Sequence, residues 1–245
     1  MKTSKKPVFK IGCSGFYNNQ WRKIFYPEKL PKSKWLNFYS EHLNSIEINS
    51  TFYHFPRIKT IQGWYDKTPE DFLFSIKAPK TITHILKFED CDKLLSDFYT
   101  VCEQGLRQKL GCILFQLPPS FQFSEERLRL IINNLNPSFK NVVEFRHESW
   151  WTEKVYNELA KAGITFCSIN HPKLPDTLIT NTDIGYIRLH GNPILFYSAY
   201  SEAELTSLYQ HVVKRGTLKV VFIYFNNTAG EAGIINARQM QHITG

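Results

Sequence analysis

A chain of 245 residues, 42% hydrophobic and 21% charged, has the composition of a soluble globular protein and the usual length of one eight-fold α/β barrel. Those figures exclude a disordered or collagen-like chain, and five scattered cysteines exclude a disulfide-stapled scaffold or a finger-type metal site. A formal net charge of +8 favours anionic partners, an anionic small molecule or a nucleic acid, although Lys2, Lys5, Lys6 and Lys10 account for half of the excess. Residues 1–7 therefore also read as a basic, frayed amino terminus.

In chain order, apolar runs rich in Val, Ile and Phe at 8–13, 45–49, 72–77, 111–116, 141–146, 164–169, 185–189 and 220–225 predict strands. Between them, three-to-four spacing predicts helices around Trp35–Leu43, Leu94–Cys102 and Leu128–Leu135. Ser124 and Thr152 are placed to cap helix starts, and Gly163 to end the helix before the run ITFCSI. Two connections break the alternation: residues 56–69 hold only a short helix, and HPKLPDTLITNTD after Asn170 is too rich in Pro. Eight strands alternating with helices predict a single TIM-type (β/α)8 barrel over residues 1–245, with irregular connections after strands 2 and 6. An open doubly wound sheet fits less well, because Gly12 and Gly15 in IGCSGFYNNQW are followed by no phosphate-cradling Lys-Ser/Thr pair.

Polar residues two apart end most of these runs: Glu47 and Asn49, Ser75 and Lys77, Gln116, Glu144 and Arg146, Arg188 and His190, Tyr224 and Asn226. Residues two apart share a face of a strand, so each run delivers polar groups to the carboxyl end of the sheet, where barrels bind ligands. Glu144, Glu47, His147 and His190 have the chemistry of bases and proton shuttles. Asn49, Lys77, Gln116, Arg146, Arg188, Tyr224 and Asn226 supply amide, hydroxyl and cationic groups to hold a ligand. The bland alternative is an ion pair joining Glu144 to Arg146 or Arg188. Glu47 and Glu144 would serve a glycoside hydrolase only at the proper separation. No metal ligand is assigned; His54, His147, His190, Glu47 and Glu144 lack ligand-type spacing, and a divalent metal stays open as a cofactor. Asn227 reads equally well as a turn residue.

Phe16, Tyr17, Trp21, Phe52, Tyr53, Phe55, Trp150, Trp151, Phe196, Tyr197 and Tyr200 fall in the loops around this mouth and suit stacking on bases as readily as packing. Cys112 and Cys167, inside apolar runs, read as buried small hydrophobes. No run has the length of a membrane helix and no secretory signal is evident, so a cytoplasmic location without membrane contact is expected.

GCSGFYNNQWRKIFYP, IEINSTFYHFP, WYDKTPEDFLFSIKAPKTITH, FQLPPSF, EFRHESWW, YIRLHGN and FNNTAGEAGIINA resemble, in order, the signature segments of the YecE-like family, domain of unknown function 72. The resemblance implies a TIM-type barrel and no established reaction. It is distantly similar in architecture to endonuclease IV-type barrels, whose trinuclear zinc set is not evident here. It places Glu47, Asn49, Lys77, Gln116, Glu144, Arg146, His147, Arg188, His190 and Asn226 at one site, and departs at Asn170, where relatives often carry an acidic residue. The expectation is a hydrolase-like enzyme acting on a phosphate-bearing or nucleic-acid-derived ligand; a non-catalytic binder of single-stranded nucleic acid is the alternative.

Overall fold

In the computed structural model, which describes residues 6–245, each predicted apolar run forms a strand and all pair in parallel. They are β1 (Val8–Cys13), β2 (Ser45–Ile48), β3 (Leu73–Lys77), β4 (Leu110–Gln116), β5 (Asn141–Glu144), β6 (Thr165–Phe166), β7 (Ser168–Asn170), β8 (Ile184–Leu189) and β9 (Val220–Phe225). The helices between them include α1 (Trp35–His42), α2 (Ser50–Tyr53), α3 (Ile58–Tyr65), α4 (Asp92–Leu106), α5 (Glu125–Asn134), α6 (Glu153–Lys161), α7 (Glu202–Lys214) and α8 (Ala232–Thr244). The caps follow the side chains: Ser124 accepts from Arg127 N, Thr152 from Val155 N, and Gly163, at φ +69°, follows α6 in the left-handed region. Ser201 and Glu204 form a capping box on α7.

The backbone ladder is not continuous around the barrel. One arc runs β2-β3-β4-β5-β6 and the other β1-β9-β8-β7. The sixth run belongs to both, because it breaks at Cys167: Val142 and Val143 pair with Thr165 and Phe166, whereas Ser168 to Asn170 pair with Ile187 to Leu189. β5 itself ends at Glu144, so Arg146 lies beyond the strand that the sequence reading carried to residue 146, while His147 lies past it as expected.

At the other junction β1 and β2 are joined by side chains. Ile11 N donates to Asn44 Oδ1 at 2.7 Å, the Asn44 amide donates to Phe9 O at 3.1 Å, and the Tyr39 hydroxyl accepts from Cys13 N at 2.7 Å while donating to Ser45 O at 3.2 Å. Gly12 makes the approach close, since a Cβ there would lie 2.1 Å from Ser45 O. Gly12→Ala is accordingly expected to cost about 1–3 kcal/mol or more, because backbone cannot yield as a flexible side chain does. An unchanged thermal midpoint would show that the seam can spread.

The barrel interior holds Cys112, Leu114, Val142, Cys167, Ile169, Tyr186, Phe222 and Tyr224 as one apolar cluster, with a larger core between the strands and the helices. All five cysteines are buried free thiols. Burial, opposed by Lys140 and a hydrogen bond with Ser75, raises the Cys112 thiol to about 12, as suits packing rather than reactivity. No helix among the described residues is long and apolar enough to cross a membrane.

Lys2 and Lys5 of the basic amino terminus lie outside the described residues. Lys6 is not frayed: its Nζ donates to Thr244 O at 2.6 Å and lies over the Tyr209 ring, tying the start of the chain to the end of α8. The connection after Asn170 forms no helix, as its prolines predict, and leaves a cavity of about 670 Å³ bordered by residues 176–178, Leu189 and α7. Asn170 joins this side of the molecule, donating to Asp176 Oδ2 and accepting from the Tyr200 hydroxyl, each at 2.7 Å.

Candidate active site at the barrel mouth

Arg188, near the end of β8, is the centre of the mouth. Its Nη2 donates to Glu47 Oε1 at 2.7 Å and its Nη1 to Glu144 Oε2, so one guanidinium bridges carboxylates from β2 and β5. All three side chains are buried, with Arg188 only 1% exposed. Glu47 is further held by the Ser14 hydroxyl at 2.6 Å and the Tyr186 hydroxyl at 2.7 Å. Arg146, 13% exposed, donates through Nε to the second oxygen of Glu144.

Burial by itself would raise the Glu144 carboxyl, but Arg146, Arg188 and His190 together hold it well below the usual carboxylate range. It is therefore ionised at neutral pH. A glycosidase needs one carboxyl kept protonated as the acid and open space for the sugar between the pair. Here the Arg188 guanidinium stands between the two groups, an arrangement of ion pairs rather than of acid and nucleophile.

His190 extends the network from just beyond β8. The Arg146 guanidinium lies 3.2 Å from its Nε2 and the Asn226 amide 2.7 Å from its Nδ1. Both neighbours present N–H donors, Arg146 through Nη2 and Asn226 through Nδ2, so the neutral ring accepts from one of them only. Burial, opposed by Glu144 and reinforced by Arg188 and Arg146, pushes His190 down to about 3. At neutral pH it is an uncharged spacer, which is a weaker shuttle than its sequence position alone implied.

Lys77, at the end of β3, donates to Gln116 Oε1 at 2.8 Å and sits 4.2 Å from the centre of the Phe52 ring. Burial and the nearby Arg188, against the pull of Glu144 and Glu47, bring it down to about 8. His84, on the turn after β3, is lowered to about 4 by burial and by Lys77 and Arg146. With both imidazoles neutral, the cations Lys77, Arg146 and Arg188 face the carboxylates Glu47 and Glu144, leaving one positive charge in excess. Asn49, at the end of β2, donates to Ser14 O at 3.3 Å, while its Oδ1 is buried with no donor.

Of the residues read from the sequence, Glu47, Glu144, Arg146, Arg188, His190 and Asn226 form one connected network, and Lys77 and Gln116 form a second pair coupled electrostatically to it. Two read otherwise. His147 points its Nδ1 at Ser149, accepting from its backbone N–H and capping the turn at 148–150. Tyr224 lies deeper in the barrel, hydrogen-bonded to Ser45 and Ser75 and fully buried, so it braces strands instead of lining the mouth. Asn227 anchors α8, donating to Ser198 O and to Asn236 Oδ1.

Ser14, Tyr186 and His84 were not among the expected site residues. Tyr186 carried the same signal as the others, being two residues before Arg188 on one strand face. Among the described residues no three His, Cys, Asp or Glu side chains are grouped to share a metal ion. The reason is visible: Arg188 occupies both carboxylates, and His190 lies between Arg146 and Asn226.

The aromatic rim divides. Trp21, Trp150 and Tyr200 are buried, whereas Tyr17, Tyr53, Phe55, Phe196 and Tyr197 are exposed on the segments that follow β1, β2 and β8.

A parallel α/β barrel with a buried arginine-centred charge network at the carboxyl ends of its strands is the class this fold and mouth define. Residues 10–245 match the family described as "Protein of unknown function DUF72", and the chain belongs to that family. It is 24% identical to UPF0759 protein YunF of Bacillus subtilis (strain 168), covering 94% of this chain and 92% of that one. Among solved structures, a DUF72 family protein of Thermotoga maritima is 31% identical with a TM-score of 0.87, covering 96% of this chain and 98% of that chain. Another, from Enterococcus faecalis, is 19% identical with a TM-score of 0.83, covering 97% and 95%, and shares the fold.

Proposed function

We propose that the barrel mouth is an enzyme active site for a phosphate-bearing ligand that also carries a hydroxyl or amino donor. The observation that carries this reading is the uncompensated positive charge of Lys77, Arg146 and Arg188 over Glu47 and Glu144. Lys77 and Arg146 are the cations a ligand meets first, since Arg188 is already engaged on both sides. Fixed cations in a partly dehydrated site stabilise charge that develops on a phosphoryl group, which suits hydrolysis of a phosphoester. The orphaned Asn49 Oδ1 supports a ligand with a donor, because a buried acceptor gains most from being satisfied. Glu47 and Glu144 serve this site by orienting the guanidinium groups.

Calorimetric titration with inorganic phosphate tests the reading. Phosphate is expected to bind, and Arg146→Gln to weaken it by about tenfold or more, the size of a lost charged hydrogen bond. Because Lys77 sits at about 8 without ligand, binding near that pH should take up protons, seen as an enthalpy that varies with the buffer's ionisation heat. Absence of binding, or equal binding by the variant, overturns the proposal.

A second reading, a surface for single-stranded nucleic acid, is favoured by the exposed Tyr17, Tyr53, Phe55, Phe196 and Tyr197, with Lys32 placed 5.3 Å over the Tyr17 ring. Its mark would be affinity for an oligonucleotide that falls log-linearly with salt and survives Glu144→Gln.

A further inference from the structure

Among the described residues two lysines are almost fully buried, and they are treated differently. Lys109 places its ammonium protons on Tyr65 O and Thr68 O, each at 2.7 Å, and on Thr68 Oγ1 at 3.3 Å. Three acceptors satisfy an ammonium completely, as expected of a structural lysine. Lys77, 9% exposed, has one oxygen partner, Gln116 Oε1, and otherwise faces the Phe52 ring. No carboxylate lies within ion-pair distance of it among the described residues, because Glu47 and Glu144 are taken by Arg188 and Arg146. The groups around it are Glu47 from β2, Gln116 from β4, Glu144 and Arg146 at the end of β5, Arg188 from β8, and Phe52 and His84 from the segments after β2 and β3. This is a lysine that stays mostly protonated near neutral pH but yields its free amine far more readily than an exposed one, at the end of a barrel where ligands bind.

We infer that Lys77 is a nucleophilic amine that forms an imine with a small aldehyde or ketone carrying an anionic group, held by Arg146 beside it. The inference rests on the anion-binding reading of the mouth. The Nζ lone pair attacks the carbonyl carbon, a C–N bond forms, and the carbonyl oxygen takes a proton to give a carbinolamine. The hydroxyl takes a proton from solvent, the C–O bond breaks, water leaves, and the nitrogen lone pair completes a protonated C=N bond. No oxidant or reductant enters. With the amine lowered to about 8 from the ordinary 10.5, the unprotonated fraction near neutral pH is roughly 300-fold that of an exposed lysine.

The test is reductive trapping on the intact protein. Glyoxylate is the probe, since the slight exposure of Lys77 calls for the smallest anionic aldehyde, and cyanoborohydride supplies the hydride that turns the imine into a stable secondary amine. Peptide mapping by mass spectrometry near neutral pH should find Lys77 modified well ahead of the exposed Lys93 and Lys154, with Lys109 spared, and inorganic phosphate should slow the labelling. If label spreads over surface lysines and leaves Lys77 untouched while phosphate still binds, the imine inference falls and the anion site stands. Labelling of Lys77 that phosphate does not slow, in a protein that calorimetry shows not to bind phosphate, upholds the amine chemistry and overturns the anion reading.

Discussion

Arg188→Met is expected to lower stability by about 3–5 kcal/mol or to prevent folding at ordinary temperature, because Glu47 and Glu144 would be left as buried carboxylates without their shared counter-charge. Urea unfolding followed by circular dichroism measures it. The decisive companion is the triple variant in which Glu47 and Glu144 also become Gln. Removing a whole buried ion-pair set is far less costly than removing one member, so most of the stability should return. A single variant that loses less than about 1 kcal/mol, or a triple variant no better than the single one, would show that the arginine is not the keystone of this mouth. Since the triple variant keeps Lys77 and Arg146 and loses both carboxylates, it should fold and still bind phosphate, separating the structural role of Arg188 from the anion-binding role proposed for the two remaining cations.

The second large effect is with acid. His190 is neutral in the fold and lowered to about 3, while an unfolded histidine takes a proton near 6.5. Between those values the unfolded chain binds the extra proton, so stability falls as pH drops from about 6.5 and the loss is complete only below about 3. The full shift corresponds to about 5 kcal/mol. Glu144, held well below 4.5, works in the same direction: its stabilisation is present above its unfolded value and lost as it protonates. His84, lowered to about 4 but only partly buried, adds a smaller contribution of the same sign. Thermal midpoints taken from pH 7 downwards should therefore drop before surface carboxylates begin to titrate, and His190→Asn should flatten the slope between about 6.5 and 4. A midpoint constant over that interval would contradict the buried neutral imidazole.

The strands were legible because each is a compact run of Val, Ile and Phe, and the end of most runs because polar residues recur at spacing two. The convergence of Glu47, Glu144 and Arg188 followed from strand direction alone. What the pattern could not carry is which polar group a long side chain selects. Glu144 and Arg146 were read as members of one strand face, yet β5 ends between them and Arg146 reaches back to Glu144 from beyond the strand. His147 shares the EFRH motif with Glu144 and Arg146 of the charge network, but its ring turns to Ser149 two residues on and caps the local turn, which wins over any long-range partner. Tyr224 follows the alternation correctly and still misses the mouth, because it lies two residues deeper than Asn226 and its hydroxyl is used by Ser45 and Ser75.

The division of the barrel into two arcs has a bearing on how the chain is assembled. The arc from β2 to β6 is contiguous in sequence, each strand pairing with the next one made, and it can form while the remainder is still being synthesised. The other arc places β1, the first strand, against β9, the last, so the earliest segment stays unpaired until nearly the whole chain has emerged. Ring closure then comes with the β1–β9 pairing, whereas Asn44 and Tyr39, which reach β1 across only 26 to 35 residues, can hold that strand against the first arc before β9 arrives.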